Sequence, residues 1–141
     1  MTRILVPVDA SPNAQRAVRH VIGEFRRKAA MEIHLINIQP PFSHHVAQFA
    51  SRRNRASFHR EQGEKALAPA RQLLEEASVP HSVHIEIGDR AQVIAREARR
   101  LRCDRIVMRP LPFNVWKARR IVASASRSAA FARNSGIASS I

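Results

Sequence analysis

The sequence predicts a single α/β domain built on an open, mostly parallel sheet with helices packed against it. Short apolar runs typical of buried strands alternate with amphipathic segments of helical period. The 141 residues are enough for one core, and the composition, 45% hydrophobic and 25% charged, is that of a globular domain. No apolar run approaches the ~20 residues that a membrane-spanning helix needs, so no membrane contact is expected.

The stretch TRILVPVDASP, residues 2–12, packs a strand, a turn and a helix start together. The apolar run over residues 4–8 suits a strand covered on both faces. Pro7 lacks a donor and is best placed near the strand end. Asp9 is therefore expected at the carboxyl end of the strand, where open α/β sheets bind ligands.

The first helix is predicted over residues 12–28, with a capping hydroxyl from Ser11 and Pro12 at its first position. A second apolar strand follows over residues 33–38 and stops at two prolines. Because β-α-β crossovers are right-handed, these two strands are predicted to be parallel neighbours.

Residues 39–56 form a long connection, which is typical of a functional flap or a mobile segment. His44, His45 and His59 invite a metal hypothesis, but without paired Cys or carboxylates at ligand spacing they are interpreted as solvated. A second helix is predicted over residues 57–77, with a kink or a break at Pro69.

Residues 82–87 alternate apolar and polar side chains, which predicts a strand near an edge of the sheet with His84 and Glu86 facing water. Asp89 is expected to cap a third helix. The apolar run over residues 105–108 predicts a fourth strand that ends beside the end of the first. The single cysteine, Cys103, is interpreted as a half-buried core residue rather than a nucleophile.

A lone cysteine forms no internal disulfide, and the amino terminus carries no signal-peptide pattern, so a cytoplasmic protein is the default expectation. The charge is uneven along the chain. Residues 1–89 hold 12 basic and 9 acidic side chains, a net of +3, whereas residues 90–141 hold 12 and 2, a net of +10. Such a skew is compatible with a module that binds nucleic acid through residues 90–133.

Three segments together resemble the universal stress protein family: ILVPVDAS, GDRAQVIAREA and CDRIVM, in the family's order and spacing. The resemblance covers residues 1–108, and residues 109–141 diverge. It implies a doubly wound, five-stranded, mostly parallel sheet with helices on both faces. It also implies a homodimer paired through the last strand and, in some members, bound ATP or a related adenine nucleotide.

In the nucleotide-binding members, the turn after the first strand faces the nucleoside and the end of the second strand lines the adenine pocket. A glycine loop after the fourth strand, G-x2-G-x9-G-[S/T], holds the phosphates through backbone amides. The positions that the resemblance implies here are Pro7, Val8, Asp9, Ile38, Met108 and Ser124.

This sequence departs from the family at the phosphate loop. Arg109 and Pro112 occupy the two glycine positions, and Ser124 fits the closing serine only with a one-residue insertion. Proline offers no amide donor, although Arg109, Lys117 and Arg119 supply charge in its place. The predicted fifth strand at residues 136–141 is weak as well. A diverged or frame-altered carboxyl terminus accounts for the lost loop and the basic skew together.

These observations favour a non-enzymatic universal stress-type protein that acts through dimerisation and a protein partner, with nucleotide binding weakened or lost. The alternatives are an ATP-binding regulatory domain of the same family and, from another class, the basic nucleic-acid module. No catalytic residues and no metal site are predicted, because the sequence carries neither an ATP-pyrophosphatase loop nor a G-x-S-x-G elbow.

Overall fold

The computed structural model describes residues 1–27 and 30–108, together with the backbone of residues 114–117. In chain order its elements are β1 (Thr2–Pro7), α1 (Pro12–Arg26), β2 (Met31–Gln39), α2 (His44–Ala47), α3 (Arg52–Glu76), β3 (His81–Ile87), α4 (Arg90–Arg100), β4 (Arg105–Met108) and β5 (Asn114–Lys117).

The strands form one sheet in the order β3-β2-β1-β4-β5. The first four run parallel, with Ile4 opposite both Ile33 on β2 and Arg105 on β4. This confirms the predicted α/β class, the pairing of the first and fourth strands, and the edge position of β3. β5 was not predicted, and it pairs antiparallel with β4. The strand predicted at 136–141 lies outside the described residues.

The sheet is covered on both faces, as the doubly wound prediction requires. One face packs on α1 and α3 over the larger apolar cluster, to which Ile4, Val6 and Leu35 belong. The other face packs on α4 over a smaller cluster that includes Leu5, Ile36, Ile94 and Ile106. Alternating residues of β1 and β2 therefore serve both layers, which explains why these strands are apolar throughout.

Ser11 occupies the N-cap position of α1, but its hydroxyl does not cap the helix as predicted. The hydroxyl donates instead to Oδ1 of Asp9, two residues earlier. This bond to a charged acceptor orients the hydroxyl toward the turn, and its oxygen accepts no bond from the backbone N–H groups of the helix. Pro12 opens α1 as predicted.

The helix α3 begins five residues earlier than predicted and runs unbroken through Pro69. Pro69 lies on the exposed side, while the neighbouring Leu67, Ala70 and Leu74 are fully buried. Pro69 has no backbone N–H, so one helical hydrogen bond is absent there. Burial of the opposite face keeps the helix intact despite this loss. Since α2 and the start of α3 fall within residues 39–56, the predicted flap is shorter than the sequence indicated.

His84 and Glu86 were predicted to face water, and this was wrong because α4 lies against that side of β3. His84 is half-buried, and its Nε2 lies 3.1 Å from Nδ1 of the buried His34. Glu86 is also partly buried and pairs with Arg96 of α4 at 3.3 Å.

Candidate functional site

A small cleft opens where the carboxyl ends of β1 and β2 meet the first turn of α4. Its walls are Pro7, Val8, Asp9, Ile36, Ile38 and Arg90. Four of the six residues implied by the family resemblance, Pro7, Val8, Asp9 and Ile38, therefore come together. Parallel strands end at the same sheet edge, which is why residues 29 positions apart in sequence share one cleft.

The carboxylate of Asp9 is hydrogen-bonded within the chain, while 43% of the side chain remains exposed. The backbone N–H of Ser11 donates to Oδ1 at 2.9 Å, the Ser11 hydroxyl donates to the same atom, and Arg90 Nη1 lies 3.5 Å from Oδ2. Burial by itself raises the pKa of Asp9, but the Ser11 hydrogen bonds and the Arg90 charge outweigh it, so this pKa lies below its usual value. The side chain is therefore ionised at neutral pH.

The backbone at Val8 is also satisfied from within the protein. Its N–H donates to the Ile36 carbonyl at 2.8 Å, and its carbonyl accepts from Nδ2 of Asn37 at 2.8 Å. Asn37 is buried, and its own Oδ1 accepts from Gln39 Nε2 at 2.6 Å. This chain of bonds fixes the floor of the cleft. It occupies the Val8 N–H and one of the two lone pairs of the Val8 carbonyl.

The cleft encloses only about 10 Å³, room for about one water molecule. Met108 does not line it. That residue is 2% exposed and belongs to the apolar cluster beneath α4. Ser124, together with the basic positions 109, 117 and 119, lies outside the residues whose side chains are described.

Sequence reasoning missed Arg90 as a member of the site. Arg90 is the first residue of α4, directly after the predicted cap Asp89, whose carboxylate accepts from the Gln92 N–H at 3.1 Å. Nothing local marks Arg90, since its partner Asp9 lies 81 positions away. The cap was predictable from a few adjacent residues, whereas the ion pair was decided by how α4 docks.

Of the histidines considered for a metal site, His44 and His45 are exposed, as interpreted, but His59 is 94% buried against Phe42, with ring centroids 4.6 Å apart. The solvated interpretation of His59 was wrong because this side of α3 packs inward and the Phe42 ring covers it. Within residues 1–27 and 30–108, no group of three or more potential ligands lies close enough to hold a metal ion.

Cys103 is buried, as predicted. Burial, with the neighbouring Asp104 charge, raises the pKa of this thiol to about 12, so the nucleophilic thiolate is not populated at neutral pH.

In the part of the chain that the structure describes, no helix combines the length and apolarity that crossing a bilayer demands.

A model of the universal stress protein family matches residues 1–110. The chain belongs to this family. The match ends just after β4, at the point where the sequence departs from the glycine-loop pattern.

Solved structures of universal stress proteins share the fold at low sequence identity. A family member from Arabidopsis thaliana, solved with AMP bound, is 22% identical over 75% of this chain and 74% of its own, with a TM-score of 0.56. UspA from Lactobacillus plantarum is 19% identical over 88% and 91%, with a TM-score of 0.62. A universal stress protein in complex with cAMP is 17% identical over 95% and 91%, with a TM-score of 0.59. The comparison with curated proteins gives no significant match.

Proposed function

We propose that this universal stress protein is a non-enzymatic stress-response protein that acts through dimerisation and contacts with a protein partner, with adenine-nucleotide binding weakened or lost. One observation carries the proposal. The Asp9 cleft holds about 10 Å³, and its polar groups are bonded to Ser11, Asn37 and Arg90. A nucleoside that enters this cleft competes with those bonds.

The loop after β4 supports the same proposal. Backbone amides of glycines bind phosphates well because nothing shields them, and Arg109 and Pro112 stand at those glycine positions. Two structural neighbours carry AMP or cAMP, so adenine nucleotides remain the ligand class to test.

Thermal shift and calorimetry with ATP and Mg²⁺, AMP and cAMP test the proposal. A ligand with a Kd of 10 μM, present at 1 mM, stabilises the folded state by about 2.7 kcal/mol, which for a domain of this size raises Tm by roughly 10 °C. We expect a rise below about 2 °C for each nucleotide. A rise near 10 °C that disappears in Asp9→Ala would overturn the proposal in favour of the ATP-binding regulatory domain.

The variant Arg90→Ala separates two causes of weak binding. If the Asp9–Arg90 pair closes the cleft, nucleotide affinity increases in this variant. If the replaced glycine loop is the cause, affinity stays low.

Size-exclusion chromatography with light scattering tests the homodimer, and a monomer at micromolar concentration would remove that part of the proposal.

Four of the six arginines described in residues 90–108 are paired, which weighs against the nucleic-acid alternative, and Arg99 and Arg102 are the two that form no ion pair with a described residue. Arg90, Arg96, Arg100 and Arg105 each pair with a carboxylate of the same chain. Paired guanidinium groups contribute little to a phosphate-binding surface. We therefore do not propose this function. A steeply salt-dependent affinity for DNA or RNA would support it instead.

A further inference from the structure

A second, larger cavity lies on the opposite face of the sheet from the Asp9 cleft. It encloses about 300 Å³ at the carboxyl end of β3, between the first turns of α3 and the segment that follows β2. Its lining residues are Pro41, Phe42, Arg52, Arg55, Ala56, His59 and Ile87. None of them belongs to the Asp9 cleft.

The wall of this cavity is largely aromatic and aliphatic. The Phe42 ring lies between two others, 4.6 Å from His59 and 5.4 Å from Phe58. Ile87, at the end of β3, is 44% exposed although the residues before it on the same face pack inward. An apolar body that enters the cavity gains contact with these rings and covers Ile87.

The two arginines of the cavity are unpaired, in contrast to Arg90, Arg96, Arg100 and Arg105. Neither Arg52 nor Arg55 forms an ion pair with any described residue, and no carboxylate is among the side chains that line the cavity. Both sit in the first turn of α3, three residues apart, so their guanidinium groups flank the same opening.

His59 is a second polar feature of the cavity, separate from the two arginines. It lines the cavity, is only 6% exposed, and its Nδ1 has no hydrogen-bond partner. Among the described residues it is the buried polar side-chain atom left without a partner. Buried polar groups are otherwise paired in folded proteins, so an unpaired one at a cavity wall needs an explanation, and a bound ligand supplies one.

We propose that this cavity binds a small aromatic carboxylate. Its ring packs between Phe42 and Ile87, and its carboxylate accepts hydrogen bonds from Arg52 and Arg55. On binding, the His59 ring turns so that its Nδ1–H, enclosed in the empty protein, donates to the anion. The volume suits a ligand of about ten to fifteen heavy atoms, and the charge and ring content of the wall select an aromatic anion over a neutral or cationic molecule.

Calorimetric titration of the full chain with 3-phenylpropionate tests the proposal, with 3-phenylpropanol as the uncharged analogue. We expect saturable binding of the acid with a Kd below about 1 mM, and binding of the alcohol at least tenfold weaker, because the guanidinium contacts need the charge. Equal affinity for acid and alcohol, or no saturation by the acid up to 10 mM, would overturn the proposal.

Variants then locate the site. Arg55→Gln is expected to weaken binding of the acid by about tenfold, and Ala56→Trp, at an exposed helix position, to block the cavity. Arg53→Gln is the matched control, since Arg53 is exposed on the same turn but does not line the cavity. If Arg53→Gln and Arg55→Gln lowered the affinity for 3-phenylpropionate equally, the acid would be attracted by the positive charge of this helix as a whole, and the site would be refuted.

The site is independent of the proposed nucleotide cleft. Asp9→Ala is expected to leave the affinity for 3-phenylpropionate unchanged, and Ala56→Trp to leave any response to AMP unchanged. Loss of 3-phenylpropionate binding in Asp9→Ala would contradict the separation of the two sites.

Discussion

The Asp9 cleft and the His59 cavity both lie at the carboxyl ends of the strands, on opposite faces of the sheet. The polar groups of the cleft are hydrogen-bonded within the chain, whereas polar groups of the cavity lack partners. In the cleft, the carboxylate and the Val8 backbone bond to Ser11, Asn37 and Arg90, and about 10 Å³ remains. In the cavity, two arginines and a buried imidazole lack partners around about 300 Å³.

The hydrogen-bonded polar groups of the cleft therefore stabilise the fold, whereas the unpaired polar groups of the cavity are available to bind a ligand. Polar atoms satisfied inside the chain contribute to stability and lose that contribution when they are released. Polar atoms left unpaired cost stability, so removing them is expected to stabilise the empty protein. The two regions should thus respond to substitution with opposite signs.

The largest effect is expected where α3 crosses β3 closely, outside both the cleft and the cavity. A Cβ added at Gly63 lies 2.7 Å from Cγ2 of Ile85, so Gly63→Val overpacks the contact and should destabilise the fold by about 3 kcal/mol. Urea unfolding measures this. In Gly23→Ala, where nothing lies within 4 Å, a gain of about 0.5–1 kcal/mol is expected instead. If both variants changed stability alike, close packing would not explain Gly63.

The next largest effect concerns the floor of the cleft. Asn37→Ala removes the donor to the Val8 carbonyl and leaves a buried acceptor unpaired, so a loss of about 2 kcal/mol is expected. Gln39→Ala, which removes only the outer bond of the chain, should cost under about 1 kcal/mol. An equally small loss in Asn37→Ala would show that water replaces the amide and that the floor is not fixed.

His59→Phe tests the opposite sign in the cavity. The variant keeps an aromatic ring against Phe42 and deletes the unpaired Nδ1, so it should stabilise the empty protein by about 1 kcal/mol. The same variant should weaken 3-phenylpropionate binding. Thermal unfolding with and without the acid measures both, and a loss of stability in the empty variant would mean that the imidazole is satisfied after all.

The smallest effect is a change in the acid stability of the cleft. Since the pKa of Asp9 is lowered in the folded state, its stabilisation is present above the unfolded-state pKa of about 3.9 and is lost as pH falls through the folded value. Both Ser11→Ala and Arg90→Gln should raise the pKa of Asp9. The rise should be larger in Ser11→Ala, because the lost hydroxyl bond lowers this pKa more than the Arg90 charge does, although the backbone N–H of residue 11 still donates. Carbon-13 NMR titration of the Asp9 carboxyl measures both, and the reverse order would make the ion pair dominant.

Much of the fold and part of the cleft follow from patterns along the sequence. The apolar runs of β1, β2 and β4, the alternation in β3, the stripe of α1 and the Asp89 cap each depend on fewer than twenty adjacent residues. Placing Asp9 and Ile38 at one sheet edge needs only the rule that parallel strands share their ends. His59 and His84 were misjudged because their burial depends on helices that pack from elsewhere in the chain.

The sequence alone determined the α/β class, the first strand as neighbour of the second and fourth, and the kinship with universal stress proteins. These follow from local periodicity, the handedness of β-α-β crossovers and short motifs. Tertiary structure alone decided the Arg90 partner of Asp9, the burial of His59 and the close approach at Gly63. These depend on distances between residues far apart in sequence, and such distances are fixed only when the helices dock on the sheet.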